Sequence, residues 1–290
     1  TKLNANLSAS VITCKGGNSG TATCVASGGV PPYSYLWNDN LMQKTSIANN
    51  LFAGYYQLQL KDNNNCTIDT SIIVNENAEM QLEMTQIPAK CYNSADGIAK
   101  VSVKNGFGPF KYQWNDSKNQ KDSIAIGLGK GLYVVTVTDV NGCKKVNTIN
   151  IESPDTLKLT IQKINLSCKG INDGQATATL KGGINPYKFQ WNDIANQQTA
   201  IANNLSVGTY IVTVSDSNNC KIVDQTTILP PQPIRIDSVI KIIPTCNGIS
   251  NGKIELIVNG GSGNYKYSWN DPLQQFLNPA NNLPAGNFTV

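Results

Sequence analysis

Four tryptophans recur along the chain at intervals of 77, 77 and 78 residues, and each is followed directly by Asn-Asp. Repetition at a fixed period of this length is the mark of a tandem array of one small domain. It overrides the two domains that 290 residues would otherwise suggest. The recurring residues are Trp37, Trp114, Trp191 and Trp269.

Two sets of cysteines keep the same period. Cys14, Cys91, Cys168 and Cys246 lie 23 residues before their tryptophan, and Cys66, Cys143 and Cys220 lie 29 residues after it. The fourth member of the second set would fall at about position 298, past Val290. We therefore expect three complete repeats and a shortened fourth, within a longer protein. Their expected bounds are 1–76, 77–153, 154–231 and 232–290.

The regular cysteines predict a disulfide within each repeat. Small domains are marginally stable unless a covalent cross-link or a metal stabilises them. The expected disulfides are Cys14–Cys66, Cys91–Cys143 and Cys168–Cys220. Buried free thiols are the alternative. A zinc site is disfavoured, because the chain has no histidine and each repeat has only two regular sulfurs. Disulfides indicate an extracellular protein.

Composition excludes several function classes. The net charge of +4 comes without a basic run, so we expect no nucleic-acid partner. No apolar stretch is long enough to span a bilayer. The lack of histidine removes the usual triad base, and four copies of one active site would be peculiar, so we expect no enzyme activity.

The apolar pattern predicts β-structure throughout. Apolar and polar residues alternate between clusters of Gly, Pro, Asn and Asp, which is typical of an all-β sandwich. We predict a tandem array of small Ig-like antiparallel β-sandwich domains with six to seven strands each. In the second repeat the strands are expected at about residues 80–87, 98–104, 110–114, 123–126, 133–138 and 145–151.

The strand count bears on where the cysteines lie. One strand between the tryptophan strand and the Tyr133 strand would bring Cys91 and Cys143 to the same end of the sandwich, and two would place them at opposite ends. An even number of strands in each repeat would place both of its termini at the same end, so the array would form a zigzag. Seven strands would place the termini at opposite ends and give a rod. The sequence leaves both arrangements open.

Aromatic residues mark the expected core. The tryptophans share an inward face with two aromatic columns, so core packing is favoured over sugar stacking. A Leu-x-x-Gly-x-Tyr segment places Tyr56, Tyr133 and Tyr210 at the start of the penultimate strand, where they resemble a tyrosine corner.

The recurring motifs resemble a known family. Cys-x-Gly-x-x-Asp-Gly, Gly-Gly-x-x-Pro-Tyr-x-Tyr-x-Trp, Leu-x-x-Gly-x-Tyr and Asp-x-Asn-x-Cys, at a period near 77, are similar to the SprB repeat of Bacteroidota surface adhesins. The resemblance implies a very large, repetitive cell-surface protein, exported by the type IX secretion system and associated with gliding motility and attachment. It implies no catalytic site.

Two kinds of minor site are worth stating. Carboxylates of Asp96, Asp116, Asp173 and Asp193 are the candidate ligands for calcium, although Ser19 and Asn251 replace the loop Asp in the other repeats. Otherwise no metal or cofactor is expected. Three Asp-Ser/Thr-apolar triplets resemble the O-glycosylation acceptor pattern of Bacteroidota, at Ser123, Thr156 and Ser238.

These patterns favour a structural role. We expect the repeats to form the shaft of a cell-surface adhesin or filament, associated with the outer membrane. Its partners would be other repeats of the same chain, the cell-surface or secretion machinery, and a surface polysaccharide. The alternative is a glycan- or protein-binding adhesive module assisted by calcium.

Overall fold

The computed structural model describes residues 1–167, 171–246, 248–261 and 263–290. The regular secondary structure of these residues is β-strand. The chain divides into two compact units, Thr1–Ser153 and Pro154–Val290. No helix among the described residues has the length and apolarity that crossing a membrane requires.

The first unit contains twelve strands, six in each of two successive repeats. The first repeat consists of β1 (Asn4–Ala9), β2 (Gly20–Ser27), β3 (Ser34–Trp37), β4 (Ile47–Leu51), β5 (Gly54–Lys61) and β6 (Thr67–Val74). The second consists of β7 (Gln81–Ile87), β8 (Gly97–Lys104), β9 (Lys111–Trp114), β10 (Ile124–Leu128), β11 (Gly131–Thr138) and β12 (Lys144–Ile151).

The second unit repeats the pattern. The third repeat consists of β13 (Lys158–Ile164), β14 (Gly174–Lys181), β15 (Lys188–Trp191), β16 (Ile201–Leu205), β17 (Gly208–Ser215) and β18 (Lys221–Ile228). In the fourth, the described strands are β19 (Arg235–Ile242), β20 (Gly252–Asn259) and β21 (Ala280–Leu283). The third and fifth strands pair with each other in the complete repeats.

Each complete repeat is a sandwich of two three-stranded antiparallel sheets. In the second repeat one sheet has the order β7-β8-β10 and the other β9-β11-β12. The first and third repeats have the same order. This confirms the predicted all-β, Ig-like fold with six strands, and each predicted strand of the second repeat overlaps an observed one.

The connection between β9 and β10 does not reverse the chain. A hydrogen bond from Ala89 N to Glu152 O joins the ends of β7 and β12, and an ion pair between Glu79 and Lys145 joins their starts, so these strands run in the same direction. Strands β7 and β10 both pair antiparallel with β8, so they run in the same direction, and β9 and β12 run in the same direction because both pair antiparallel with β11. It follows that β9 and β10 also run in the same direction. A six-strand repeat therefore begins at one end and finishes at the other. The expectation that an even strand total brings the termini together was wrong.

The predicted core lies between the two sheets. Trp37, Trp114 and Trp191 are 0 to 1% exposed and Trp269 is 4% exposed. The aligned second-strand positions Cys24, Val101, Ala178 and Leu256 are also buried. Tyr56, Tyr133 and Tyr210 are half-buried and pack against the core of their own repeat. The tryptophans therefore present no indole face on which a sugar can stack.

Candidate functional site: the Trp-Asn-Asp loop and the joint between repeats

The tryptophan of each repeat fixes the loop that follows it. In the second repeat the indole Nε1 of Trp114 donates a hydrogen bond to Asp122 O at 2.8 Å. The other three indoles make the same bond to the carbonyl eight residues downstream, at 2.9 to 3.0 Å. The indole thus fills the core and holds the start of the fourth strand.

The Asn and Asp that follow the tryptophan satisfy backbone amides. Asn115 Oδ1 accepts from Val134 N at 2.8 Å, which ties the third strand to the fifth. Asp116 is 6% exposed and accepts from Lys118 N, Gln120 N and the Gln120 side chain at 2.9 to 3.0 Å. The same bonds recur around Asp39, Asp193 and Asp271.

The sequence analysis did not predict a role for the glutamine four residues after the Asp of each Trp-Asn-Asp motif. Gln120 donates to Asp116 and to Ile126 O, and its Oε1 accepts from Ile126 N at 3.0 Å. It thereby joins the loop to the fourth strand. The equivalent residues are Gln43, Gln197 and Gln275, so the signal was present in every repeat.

These hydrogen bonds determine the charge state of the buried carboxylates. Burial alone would raise the pKa of Asp116, but the bonds from Gln120 and Lys118 N outweigh it and hold the pKa below its ordinary value. The same balance lowers the pKa of Asp39, Asp193 and Asp271. The carboxylates are charged at neutral pH, with their oxygens already engaged by the protein.

The loop carboxylates are engaged as well. The Ser94 hydroxyl, followed by Lys90 N, lowers the pKa of Asp96. The hydroxyl and amide of Ser167 do the same for Asp173. Among the described residues no three of His, Cys, Asp and Glu gather as a metal site would require. The four aspartates proposed for calcium therefore hold loops together in this structure.

A third set of aspartates shapes the hairpin turn that carries the second cysteine. Asp139 Oδ1 accepts from Asn141 N and Cys143 N, both at 2.9 Å. Asp62 makes the same two bonds, and its pKa is lowered by Val30 N first and then by the Cys66 and Asn64 amides. These aspartates are buried Asx-type turn residues.

The disulfides do not pair as the sequence suggested. Cys14 is bonded to Cys143 of the following repeat, with 5.4 Å between their Cα atoms. Cys66 is free, so the predicted Cys14–Cys66 and Cys91–Cys143 bonds were wrong. Cys168 lies outside the described residues, and so does the predicted Cys168–Cys220 bond.

The direction of the strands explains why the two cysteines of one repeat do not bond to each other. The loop cysteine follows the first strand, the turn cysteine precedes the last, and these positions are at opposite ends of the sandwich. The eight-residue strand β5 is about 27 Å long at 3.4 Å per residue. A disulfide tolerates no more than about 7 Å between Cα atoms. Cys91 and Cys220 are each disulfide-bonded as well.

Hydrogen bonds hold the Cys14 loop against the joint between the first two repeats. Ile12, completely buried, forms a parallel bridge with Glu76, donates to Asn75 O at 2.8 Å and accepts from Asn77 N at 3.0 Å. Gly16 N donates to Glu76 Oε2 at 2.7 Å. The joint is therefore fixed by backbone pairing as well as by the disulfide.

A shallow groove recurs beside the tryptophan strand of each complete repeat. Its volume is about 490 Å³ in the first repeat, 550 Å³ in the second and 430 Å³ in the third. In the second repeat the polar side chains of Asn115, Asn119, Lys121 and Thr136 line it together with Trp114 and Val134. On the fifth strand, the exposed Tyr55 lines the groove of the first repeat. The fifth-strand residues that line the grooves of the second and third repeats include Thr136 and Thr213, respectively.

The three proposed acceptor residues differ in accessibility. Ser238 is exposed on β19, whereas Ser123 and Thr156 are half-buried. The carbonyl of Ser123 accepts from Val101 N. Modification of all three stays a prediction.

Taken together, the paired sheets and repeated loops define a tandem array of Ig-like β-sandwich domains. The model of the SprB repeat family matches residues 8–42, 85–119, 160–196 and 244–274. The chain thus belongs to the SprB repeat family, as the motifs indicated. Repeats of this family and tandem Ig-like folds are typically non-enzymatic structural modules. No curated protein matches the chain.

Solved structures resemble the chain in fold alone. Three N-terminal domains of the bacteriophage RB49 capsid protein Hoc are 10% identical over 79% of this chain and 99% of theirs, with a TM-score of 0.39. The N-terminal eight Ig domains of DSCAM isoform 1.30.30 are 13% identical over 92% of this chain and 41% of theirs, with a TM-score of 0.28. The N-terminal four Ig domains of Dscam1 isoform 9.44 are 13% identical over 78% and 72%, with a TM-score of 0.26.

Proposed function

We propose that this chain is a segment of the shaft of a large, repetitive cell-surface adhesin or filament. Its recurring side chains are used to build and join the repeats. The observation that carries the proposal is the Cys14–Cys143 bond, which secures one repeat to the next. A disulfide persists in an oxidising compartment, which supports a location outside the cell. Export by the type IX system and a link to gliding motility or attachment complete the proposal, on the strength of the family resemblance.

The disulfide suits a shaft under drag. A force that enters before Cys14 and leaves after Cys143 passes through the sulfur bridge, so the residues between the two cysteines, a sequence separation of 129, cannot be drawn out to their full length while the bond is intact. Fully extended, those residues would add about 440 Å at 3.4 Å each. The bridge therefore limits how far two repeats lengthen when their sandwiches open.

Single-molecule pulling from both ends of the chain tests this role. We expect reductant to lengthen the fully unfolded chain by at least about 440 Å. A variant with serine at Cys14 and Cys91 should show the longer extension without reductant, and Cys66→Ser should behave as wild type. Equal extension with and without reductant would remove the mechanical argument.

The recurring groove supports a second candidate, an adhesive module that binds a glycan. Asparagine and threonine side chains are suited to sugar hydroxyls, and the groove is present in three repeats. A glycan array and calorimetry against calcium distinguish the two functions. Binding that is lost in Asn115→Ala, in a chain that remains folded, would favour the module, whereas silence in both assays favours the shaft.

A further inference from the structure

The outer face of one sheet carries different chemistry in the first repeat. This face consists of alternate residues of β3, β5 and β6, whose other side chains pack into the core. On it, β5 contributes Tyr55, Gln57 and Gln59, and β6 contributes Asp69 and Ser71. All of these residues are exposed, and all line the groove of the first repeat. An aromatic ring, two amides and a carboxylate therefore lie on the same side of this sheet.

The second and third repeats have aliphatic or threonine side chains at the aligned positions. Leu132 and Thr209 align with Tyr55, Thr136 and Thr213 with Gln59, and Val146 and Val223 with Asp69. Both repeats form the same three-stranded sheet with these residues, so the fold does not require an aromatic ring or a carboxylate at these places. The groups found in the first repeat therefore need an explanation other than stability.

Strand pairing places the polar groups of this face next to one another. Gln59 lies opposite Asp69 in the pair β5-β6 and opposite Leu36 in the pair β3-β5. The Gln59 side chain donates to Asp69 Oδ1 at 3.3 Å, which holds the amide beside the carboxylate. A carboxylate has about four acceptor positions, so Asp69 retains acceptor capacity for hydroxyl groups of a ligand.

The wall of the groove is held in place by hydrogen bonds of the Trp-Asn-Asp loop. Asn38 Oδ1 accepts from Gln57 N at 2.7 Å, and Asn38 N donates to Gln57 O at 3.0 Å. Met42 lines the groove with a side chain that is 60% exposed, and its N donates to Asp39 O at 2.9 Å. Since the wall is already ordered, a ligand that enters the groove loses little free energy in shaping it.

The groove offers both kinds of surface that a sugar ring presents. A pyranose has an apolar face of C–H groups and an edge of hydroxyls. Tyr55 is 58% exposed and supplies a flat ring for the apolar face, while Gln59 and Asp69 supply donors and acceptors for the hydroxyls. The described residues that line this groove include the Asp69 carboxylate and no cation, which disfavours an acidic glycan.

We propose that the groove of the first repeat is a carbohydrate-binding site for an uncharged glycan, with a sugar ring stacked on Tyr55 and its hydroxyls bonded by Gln59 and Asp69. The inference rests on the adhesive module put forward above as the second candidate function. It assigns recognition to one repeat, and it leaves the second and third repeats as spacers.

Isothermal titration calorimetry of the full chain tests the site. The probes are neutral oligosaccharides of glucose, mannose, galactose and xylose, with oligogalacturonate as the acidic counterpart. We expect a neutral oligosaccharide to bind with one site per chain, and Tyr55→Ala and Asp69→Ala each to weaken it by about tenfold or more. Leu132→Ala and Val146→Ala, at the aligned positions of the second repeat, are the matched controls and should leave the affinity unchanged. The thermal midpoint of each variant verifies folding.

Four results would overturn the proposal. They are failure of every neutral oligosaccharide to bind, preference for oligogalacturonate, three sites per chain, and unchanged affinity in a folded Tyr55→Ala variant. Binding that survives Tyr55→Ala but is lost in Asn115→Ala would leave the adhesive module standing without this site. The shaft function is tested separately, by the effect of reductant on the pulled chain.

Discussion

Cys14 is joined to Cys143, the turn cysteine of the next repeat, although Cys66 occupies the same turn in its own repeat. The bond crosses a joint that Ile12 and Glu76 already pair across. The disulfide expected to stabilise one small repeat instead joins it to the next repeat. Stability and connection between repeats therefore depend on the same covalent bond.

Removing this bond should weaken the first unit. Closing a loop of this length stabilises a chain by about 5 kcal/mol on the chain-entropy model. We expect Cys14→Ser to lower the thermal midpoint by roughly 10 to 20 °C in differential scanning calorimetry. Cys66→Ser is the matched control, because Cys66 is exposed and free, and should leave the midpoint unchanged.

The tryptophan should dominate the stability of its repeat. Replacing a buried Trp by Ala typically costs about 3 to 5 kcal/mol, so Trp114→Ala should open the second repeat at much lower urea concentration. Tyr92→Ala removes an aromatic that is 50% exposed and serves as the control. Equal effects of the two substitutions would show that the indole is not core.

The Asp116–Gln120 pair should be required for the loop. Gln120→Ala leaves a buried carboxylate without its side-chain donor, which typically costs about 1 to 3 kcal/mol. Urea denaturation measures the loss. Lys118→Ala retains the amide that Asp116 uses and should change stability by less than about 0.5 kcal/mol. A loss as large in Lys118→Ala would mean that the loop is held by something else.

Acid should destabilise the repeats. The pKa values of Asp39, Asp116, Asp193 and Asp271 are lowered in the folded state, since hydrogen bonds outweigh burial. Their contribution to stability is fully present above the unfolded value of about 3.9 and is lost as pH falls through the lowered folded values. Urea denaturation between pH 7 and pH 2 should show a decline that begins near pH 4. Stability that rises on acidification below pH 4 contradicts this account.

Much of a single repeat was predictable, because period-two alternation and turn residues are local signals. The strands of the second repeat and the burial of Trp114 followed from them. The direction of the strands could not be predicted from these signals, because the Trp-Asn-Asp loop takes the chain from one sheet to the other without reversing it. No local pattern distinguishes that path from a hairpin. The cysteine pairing depended on that direction. The role of Gln120 could have been predicted, since a glutamine lies four residues after the Asp of the Trp-Asn-Asp motif in every repeat.

Non-reducing peptide mapping of the oxidised chain by mass spectrometry tests the central claim most directly. The account predicts a cross-linked pair of peptides that contain Cys14 and Cys143, with Cys66 recovered as a thiol. Peptides that join Cys14 to Cys66, or Cys91 to Cys143, would contradict it, because the disulfide would then close one repeat and not connect two.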